Sequence, residues 1–347
     1  MTAVRMYTTT CSRSNNRMKK TYKIVIDTKG ADAGVDVMLR GAKRALDTHR
    51  TLSFLLVGDA AELMARCASL GLSPERVELL DATQEITGCD SPVAALFEKR
   101  DSSLVRAFEA LSERDELSGL IGAGNTGALL AASLRFLARE DRARPALAAL
   151  LPSEQGGFTC LVDAGASVDC DPHLLLHFAR LGSDFMRRTY HMDAPRVGLL
   201  SSGREASKGN KTVKETHLLL ETSELNFIGN IEGDHALSGE CDVLVADGFA
   251  GNQVLKVTEG TARRLMKEIA AFAEETKSED ARRLYSRLMQ SYDITSLGGA
   301  VVLGVTKPVI KTHGACNENS VAHAVDMILN MLENKEIFES KENTSNV

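Results

Sequence analysis

The stretch Leu120-Ile121-Gly122-Ala123-Gly124-Asn125-Thr126-Gly127, followed at once by Ala128-Leu129-Leu130-Ala131-Ala132, most constrains the fold. It reads as a buried strand, a glycine loop and the start of a helix. Glycines at 122, 124 and 127 let backbone N–H groups come close to a bound group. The new helix adds unpaired amides and the positive end of its dipole, so the loop reads as an anion cradle. The spacing also satisfies G-x-G-x-x-G, the dinucleotide fingerprint. A dinucleotide site needs in addition an acid at the end of the next strand, about 20 residues on, to hold a ribose hydroxyl. Here that stretch is Arg139-Glu140-Asp141-Arg142-Ala143-Arg144-Pro145, a polar loop before a proline, and two strand candidates already precede the fingerprint. The nicotinamide reading is set aside on those grounds.

Short β-branched runs alternate with amphipathic helices along the chain, the pattern of parallel strands joined by crossover helices, so the expected fold class is α/β. Candidate strands are 22–27, 52–57, 117–122, 146–151, 159–163, 195–200, 225–229, 242–246 and 299–303. Three more of them open into polar loops, beginning at Asp163-Ala164-Gly165-Ala166-Ser167, Ser201-Ser202-Gly203-Arg204 and Asp247-Gly248-Phe249-Ala250-Gly251-Asn252. Ligands of an open parallel sheet gather outside the carboxyl ends of its strands, so the four loops suggest one composite site.

With 347 residues and 44% hydrophobic content the chain can bury a large core. The formal net charge of −6 argues against a nucleic-acid surface. No apolar run approaches the ~18 residues a membrane span needs. Seven cysteines (11, 67, 89, 160, 170, 241 and 316) are scattered without a C-x-x-C pair, which fits reduced thiols in an intracellular protein and no zinc site. Residues 1–17 are expected to be a disordered leader ahead of a start at Met18, 18–333 a single α/β domain, and 334–347 a loose tail.

The loops hold Gly, Asn, Asp, Ser and Lys208, with no Ser-His-Asp order, cysteine signature or carboxylate dyad. Such an inventory suits binding and polarisation. It suffices where both reactants are already competent, as when phosphate attacks a thioester and expels a thiolate of pKa ~8.5.

The segments Gly122-Ala123-Gly124-Asn125-Thr126-Gly127-Ala128-Leu129, Val162-Asp163-Ala164-Gly165-Ala166-Ser167-Val168-Asp169-Cys170, Lys208-Gly209-Asn210, Asn226-Phe227-Ile228-Gly229-Asn230-Ile231-Glu232-Gly233 and Asp247-Gly248-Phe249-Ala250-Gly251-Asn252-Gln253-Val254-Leu255-Lys256 resemble the PlsX-type phosphate acyltransferases. So do Asp101-Ser102-Ser103, Gly298-Gly299-Ala300-Val301-Val302-Leu303-Gly304-Val305 and Lys311-Thr312-His313-Gly314, and the resemblance runs from residue 22 to about 332. It implies a three-layer, Rossmann-like, mostly parallel α/β fold, similar to that of isopropylmalate dehydrogenases and phosphotransacetylases. It further implies a cytoplasmic homodimer without metal or redox cofactor that converts acyl-[acyl-carrier-protein] and orthophosphate into acyl phosphate and free acyl carrier protein. Acyl phosphate would then feed a membrane glycerol-3-phosphate acyltransferase in phospholipid synthesis. Two alternatives stay open: phosphotransacylase chemistry on acyl-coenzyme A, and a noncatalytic carrier-protein-binding regulator.

The catalytic candidates are Lys208, Asn252, Asn210, Asp247 and His313. Lys208 offers a point charge for phosphate; Asn252 and Asn210 offer donors to the thioester oxyanion. Asp247 would orient Lys208 or an amide, and His313, with Lys311, would protonate the leaving thiolate. Substrate-binding candidates are Asp27, Gly122, Gly124, Asn125, Thr126, Gly127 and Gly251. Each also has an ordinary reading, as a turn, a helix cap or a solvated side chain. His173 and His177 have the spacing of a helical metal pair but lack a third ligand, and Cys170, between Asp169 and Asp171, reads as packing.

The charged helical segment 261–290 is the candidate dimer or partner surface, basic enough in places to steer an acidic carrier protein. Relatives are more apolar there, a feature tied to peripheral membrane contact, and this chain is poorer in it. The largest departure from the family is the first loop, Asp27-Thr28-Lys29-Gly30-Ala31-Asp32-Ala33-Gly34-Val35, where the family reads Asp-Ala-Met-Gly-Gly-Asp-His-Ala-Pro. Lys29 is the residue gained, a further candidate phosphate contact.

Overall fold

The structure, a computed structural model, describes residues 20–139, 143–292 and 299–342. The leader expected over 1–17, and residues 343–347 of the expected tail, lie outside the described residues. The described residues group into two compact units. The first is built on the described residues of Leu147–Arg187 and His191–Leu297; the second takes in the described residues before and after these, with Arg188–Tyr190.

In the second unit the order along the sheet is β3 (Val77–Asp81), β2 (Leu52–Gly58), β1 (Tyr22–Asp27), β4 (Leu117–Gly122), β11 (Val309–Lys311) and β10 (Ala300–Leu303). All pairings are parallel except β10 with β11. Strands β1, β2 and β3 step outward in one direction and β4 returns on the other side of β1. The switch in direction therefore falls between the ends of β1 and β4, at Asp27 and Gly122. Ile24, Ile26, Phe54, Leu55, Leu56 and Phe108 are fully buried here, each worth about 1.5–3 kcal/mol in apolar transfer.

In the first unit the order is β5 (Ala146–Pro152), β6 (Phe158–Val162), β9 (Val243–Val245), β7 (Val197–Leu200) and β8 (Phe227–Ile231). Only β5 runs antiparallel to its neighbour. Its core gathers Leu151, Leu161, Ile231, Leu244 and Leu255. The nine expected strands are present, with β8 displaced toward its C-terminus. Strands β3 and β11 were not anticipated, because three to five residues carrying charge show no clear alternation.

The segment expected to be one helical surface is a hairpin of α8 (Gly248–Thr276) and α9 (Glu279–Tyr292), turned by Lys277 at φ 53. Val257, Leu265 and Phe272 are exposed on α8. Three arginines of the hairpin are paired: Arg264 with Glu268 at 2.8 Å, Arg282 with Glu274 at 3.8 Å and Arg283 with Glu279 at 3.8 Å. Helix α10 (Glu318–Glu342) continues past Asn334, where the sequence was read as a loose tail. The Asn334 amide is buried and donates to the Thr189 carbonyl at 3.1 Å, which accounts for the extension.

The described cysteines are free thiols; Cys89 is exposed, and Cys160 and Cys241 are buried with thiols pushed up to about 12 by desolvation. No described helix is long and apolar enough to cross a membrane.

Helix α10 packs on α1 (Val35–Thr48) at Gly41, where an added Cβ would lie 2.4 Å from the Val321 Cβ. Gly41→Ala is expected to lower stability by about 1–3 kcal/mol in chemical denaturation, because the two helices must separate to admit one methyl group.

Candidate active site

Strands β6, β9 and β7 are adjacent and parallel, so the loops leaving their carboxyl ends emerge at one edge of the first unit. The loop after β6 turns on Asp163, which is fully buried. Its carboxylate accepts four backbone N–H groups: Leu147 at 3.0 Å, Gly165 at 3.2 Å, Ala166 at 3.0 Å and Ser167 at 2.6 Å. Burial pushes its pKa up, and the four donors pull it back by favouring the ionised form. The first turn of α8 lies flush on this loop. A Cβ on Gly251 would sit 2.0 Å from the Asp163 carbonyl oxygen, and the Gly248 amide donates to the Ser167 carbonyl at 2.7 Å. This approach brings Asn252 beside Gly165, where a Cβ would lie 3.6 Å from the Asn252 Oδ1.

The loop after β7 ends in Lys208-Gly209-Asn210 and runs into α7 (Lys211–Glu221). Asn210 caps α7, its Oδ1 accepting the Val213 amide at 2.9 Å; Asp247 caps α8 in the same way through the Ala250 amide at 2.7 Å. Both caps line one cavity of about 230 Å³, with Ser201, Ser202 and Gly209 and an apolar wall that includes Leu175, Leu199 and Val213. The starts of α7 and α8 thus face one cavity, and the positive ends of their dipoles suit an anion or a developing oxyanion. Lys208 is exposed, and among the described residues its ammonium has no acid or carbonyl partner. The Asn210 Nδ2 and the Asn252 side-chain amide are likewise unspent among the described residues. The Ser201 Oγ is buried without a hydrogen-bond partner.

The candidate residues of the second unit are placed differently. Asn125 caps α5 (Thr126–Phe136) through Oδ1, which accepts the Ala128 amide at 3.0 Å, and its Nδ2 donates to the carbonyls of Thr87 at 2.9 Å and Asp90 at 3.3 Å. Both ends of that side chain are in structural use. The glycines serve close packing: a Cβ on Gly30 would lie 2.3 Å from the Gly124 Cα, and one on Gly127 would lie 2.7 Å from the Pro92 Cγ. Gly122 accepts from the Thr312 amide at 2.9 Å, and Thr126 opens α5. Lys311 donates to the Ala123 carbonyl at 2.9 Å and the Thr312 carbonyl at 2.5 Å. The His313 Nδ1 accepts the Ala315 amide at 3.1 Å, and Lys29 pairs with Glu62 at 3.2 Å instead of remaining free for phosphate. Asp27 is 3% exposed, and burial lifts its carboxyl to about 6 against hydrogen bonds from Ser103 and the Lys29 amide.

Sequence reading alone missed Asp163, Ser201 and Asn230. Asp163 opened a quoted motif, and a lone acid at a strand end followed by small residues was the available signal. Ser201 carried no signal, since an orphaned hydroxyl is defined only by its surroundings. His173 and His177 have no metal-binding company: no group of three or more metal-ligating side chains exists among the described residues.

The arrangement of the chain is that of the phosphotransacetylase fold. A phosphotransacetylase from Streptococcus pyogenes superposes with a TM-score of 0.61 at 16% identity, covering 91% of this chain and 95% of that one. The EutD phosphotransacetylase from Staphylococcus aureus gives 0.57 at 17% identity over 90% and 94%. At such identities the likeness concerns the fold. The family is fixed by sequence: residues 22–338 match the profile described as "Fatty acid synthesis protein", and the chain belongs to that family. Its relatives include the phosphate acyltransferases of Caldanaerobacter subterraneus subsp. tengcongensis, 37% identical over 92% of this chain and 96% of that protein, and of Lactococcus lactis subsp. cremoris, 40% identical over 90% and 95%.

Asp27 gives the second unit a defined pH response. Its folded pKa of about 6 lies above the ordinary 3.8, so its stabilising contribution is complete below pH 3.8 and is lost as pH rises through 6. Asp27→Asn escapes that loss. Its stability relative to the native chain is expected to rise by about 2.4 kcal/mol between pH 4 and pH 7 and then level off, as read by denaturant titration across pH.

Proposed function

We propose that the protein is a phosphate acyltransferase that transfers the acyl group of acyl-[acyl-carrier-protein] to orthophosphate, releasing acyl phosphate and the free carrier thiol. The observation that carries this reading is the set of unspent donors after β7 and β9: Ser201, Lys208 and Asn210 in the first loop and Asn252 in the first turn of α8. Family membership and the names of its relatives support it.

In the reaction a phosphate oxygen attacks the thioester carbonyl carbon, the C–S bond breaks, and the sulfur leaves as thiolate to take a proton. Lys208 holds the phosphate by charge. The Asn252 amide and the Asn210 Nδ2 donate to the carbonyl oxygen as it gains charge, and the Ser201 hydroxyl supplies a further donor at the cavity wall. Phosphate near neutral pH needs little deprotonation and a thiolate leaves readily, so donors and positioning carry the barrier reduction. Asp247 acts as the cap that holds the first turn of α8.

The proposed setting is cytoplasmic, with a homodimer joined along α8, whose exposed Val257, Leu265 and Phe272 support an apolar contact. An acidic carrier protein is the proposed partner, a membrane glycerol-3-phosphate acyltransferase the consumer of acyl phosphate, and contact with the membrane peripheral.

The test mixes purified protein, long-chain acyl carrier protein and orthophosphate, and follows release of carrier thiol with hydroxylamine trapping of acyl phosphate. Lys208→Ala is expected to lower kcat/KM by about 10- to 100-fold, the cost of one charge-assisted contact. Absence of acyl phosphate at every chain length, from a folded protein, would refute the proposal. Turnover of acyl-coenzyme A at an equal rate would shift it to the coenzyme A reading.

A further inference from the structure

Lys208 sits in a loop without regular secondary structure, yet its backbone and its stem are both held. The Glu205 carbonyl accepts the Lys208 amide at 3.0 Å, and the same oxygen accepts the Asn230 Nδ2 at 2.9 Å. Asn230 lies on β8 and is 4% exposed. Its Oδ1 faces the Nδ1 of His217, on α7, at 2.9 Å. Because the Asn230 nitrogen donates to a carbonyl, its oxygen is the acceptor, and the His217 proton resides on Nδ1. His217 is 8% exposed and its ring meets that of Phe227 edge-on with centroids 5.1 Å apart. A strut of two buried polar side chains thus runs from α7 through β8 to the peptide that fixes Lys208. A buried amide is costly unless it is bonded at both ends, and an apolar side chain would fill the same space in a strand more cheaply.

The stem is held by an absence. A Cβ on Gly203 would lie 2.7 Å from the Lys208 Cγ and 3.2 Å from its Cδ. The φ of Gly203 is not in the left-handed region, so the backbone does not require glycine there. What glycine supplies is the space over which the lysine stem lies. Holding the amide at one end and the stem along its length leaves fewer rotors to freeze when the ammonium meets an anion.

We propose that Asn230, braced by His217, and Gly203 are positioning residues that aim the Lys208 ammonium at the phosphate. The inference rests on the reading of Lys208 as the phosphate ligand. It predicts an effect on one substrate only, because neither residue is assigned a contact with the thioester.

The test uses Gly203→Ala and Asn230→Asp, each alone and combined with Lys208→Ala. Asp at 230 still accepts from His217 but cannot donate to the Glu205 carbonyl. Phosphate and acyl carrier protein are varied separately, and each variant's melting curve is recorded. In the native background both changes are expected to raise the KM for phosphate about tenfold while leaving the KM for the acyl carrier protein unchanged. In the Lys208→Ala background neither should add a further loss. Asn230 is buried and its replacement can weaken the fold, whereas the atoms nearest to a Cβ on Gly203 belong to the exposed side chains of Lys208 and Glu205, so Gly203→Ala with its melting curve keeps the test separate from stability. Equal losses with and without Lys208 would assign both residues a merely structural role and overturn the proposal, as would an unchanged phosphate KM beside an impaired Lys208→Ala. An unimpaired Lys208→Ala would instead sink the underlying assignment of the lysine, and the positioning role with it.

Discussion

The loops of the first unit depend on how one buried carboxylate is satisfied. Asp163 has no access to water, and an ionised group there is tolerable only because four amides converge on it. Those amides belong to β5 and to the turn that follows Asp163 itself, so satisfying the charge shapes the turn. The turn in turn presents the carbonyls of Asp163 and Ser167 to α8. Glycine at 251 lets the helix lie against the Asp163 carbonyl, and glycine at 248 lets it approach and donate to the Ser167 carbonyl. The position of Asn252 follows from this sequence of constraints, since it is the next residue along a helix whose first turn is already seated.

The two units use glycine for related ends with different results. In the second unit Gly30, Gly124 and Gly127 allow backbone to meet backbone or a proline ring, and the polar side chains among them are consumed in tying loops together. The segment that reads most like an anion cradle is also closely packed on its neighbours. In the first unit Gly248 and Gly251 perform the close approach, and the Asn252 side-chain amide beside them is left uncommitted among the described residues. A glycine-rich loop therefore says that chains approach closely, and the bonds made by its neighbours decide whether anything else is meant to bind.

The fold was largely legible because long β-branched runs and amphipathic helices alternate with little ambiguity. It failed at β3 and β11, whose few residues are held as strands by neighbours already in place. The site was legible to the level of its loops and no further. Asn125 and Asn210 look alike in the sequence, each an asparagine that follows a glycine at the start of a helix. Asn125 differs because Thr87 and Asp90, remote in the chain, offer carbonyls to its amide. Local sequence contains no trace of such a partner, just as it contains none of the isolation of Ser201.

Asn210 carries one more implication, for the substitutions its position can accept. It accepts a hydrogen bond through Oδ1 to begin α7 and keeps two N–H donors turned to other use. Aspartate caps equally well but has nothing to donate when ionised. Serine and threonine can do both, yet only through one short hydroxyl that must serve two geometries at once. Asparagine separates the two tasks onto two atoms of one rigid plane. Stability and the proposed chemistry share a side chain without competing for an atom, and drift toward another good cap would preserve the helix while removing the proposed oxyanion donor.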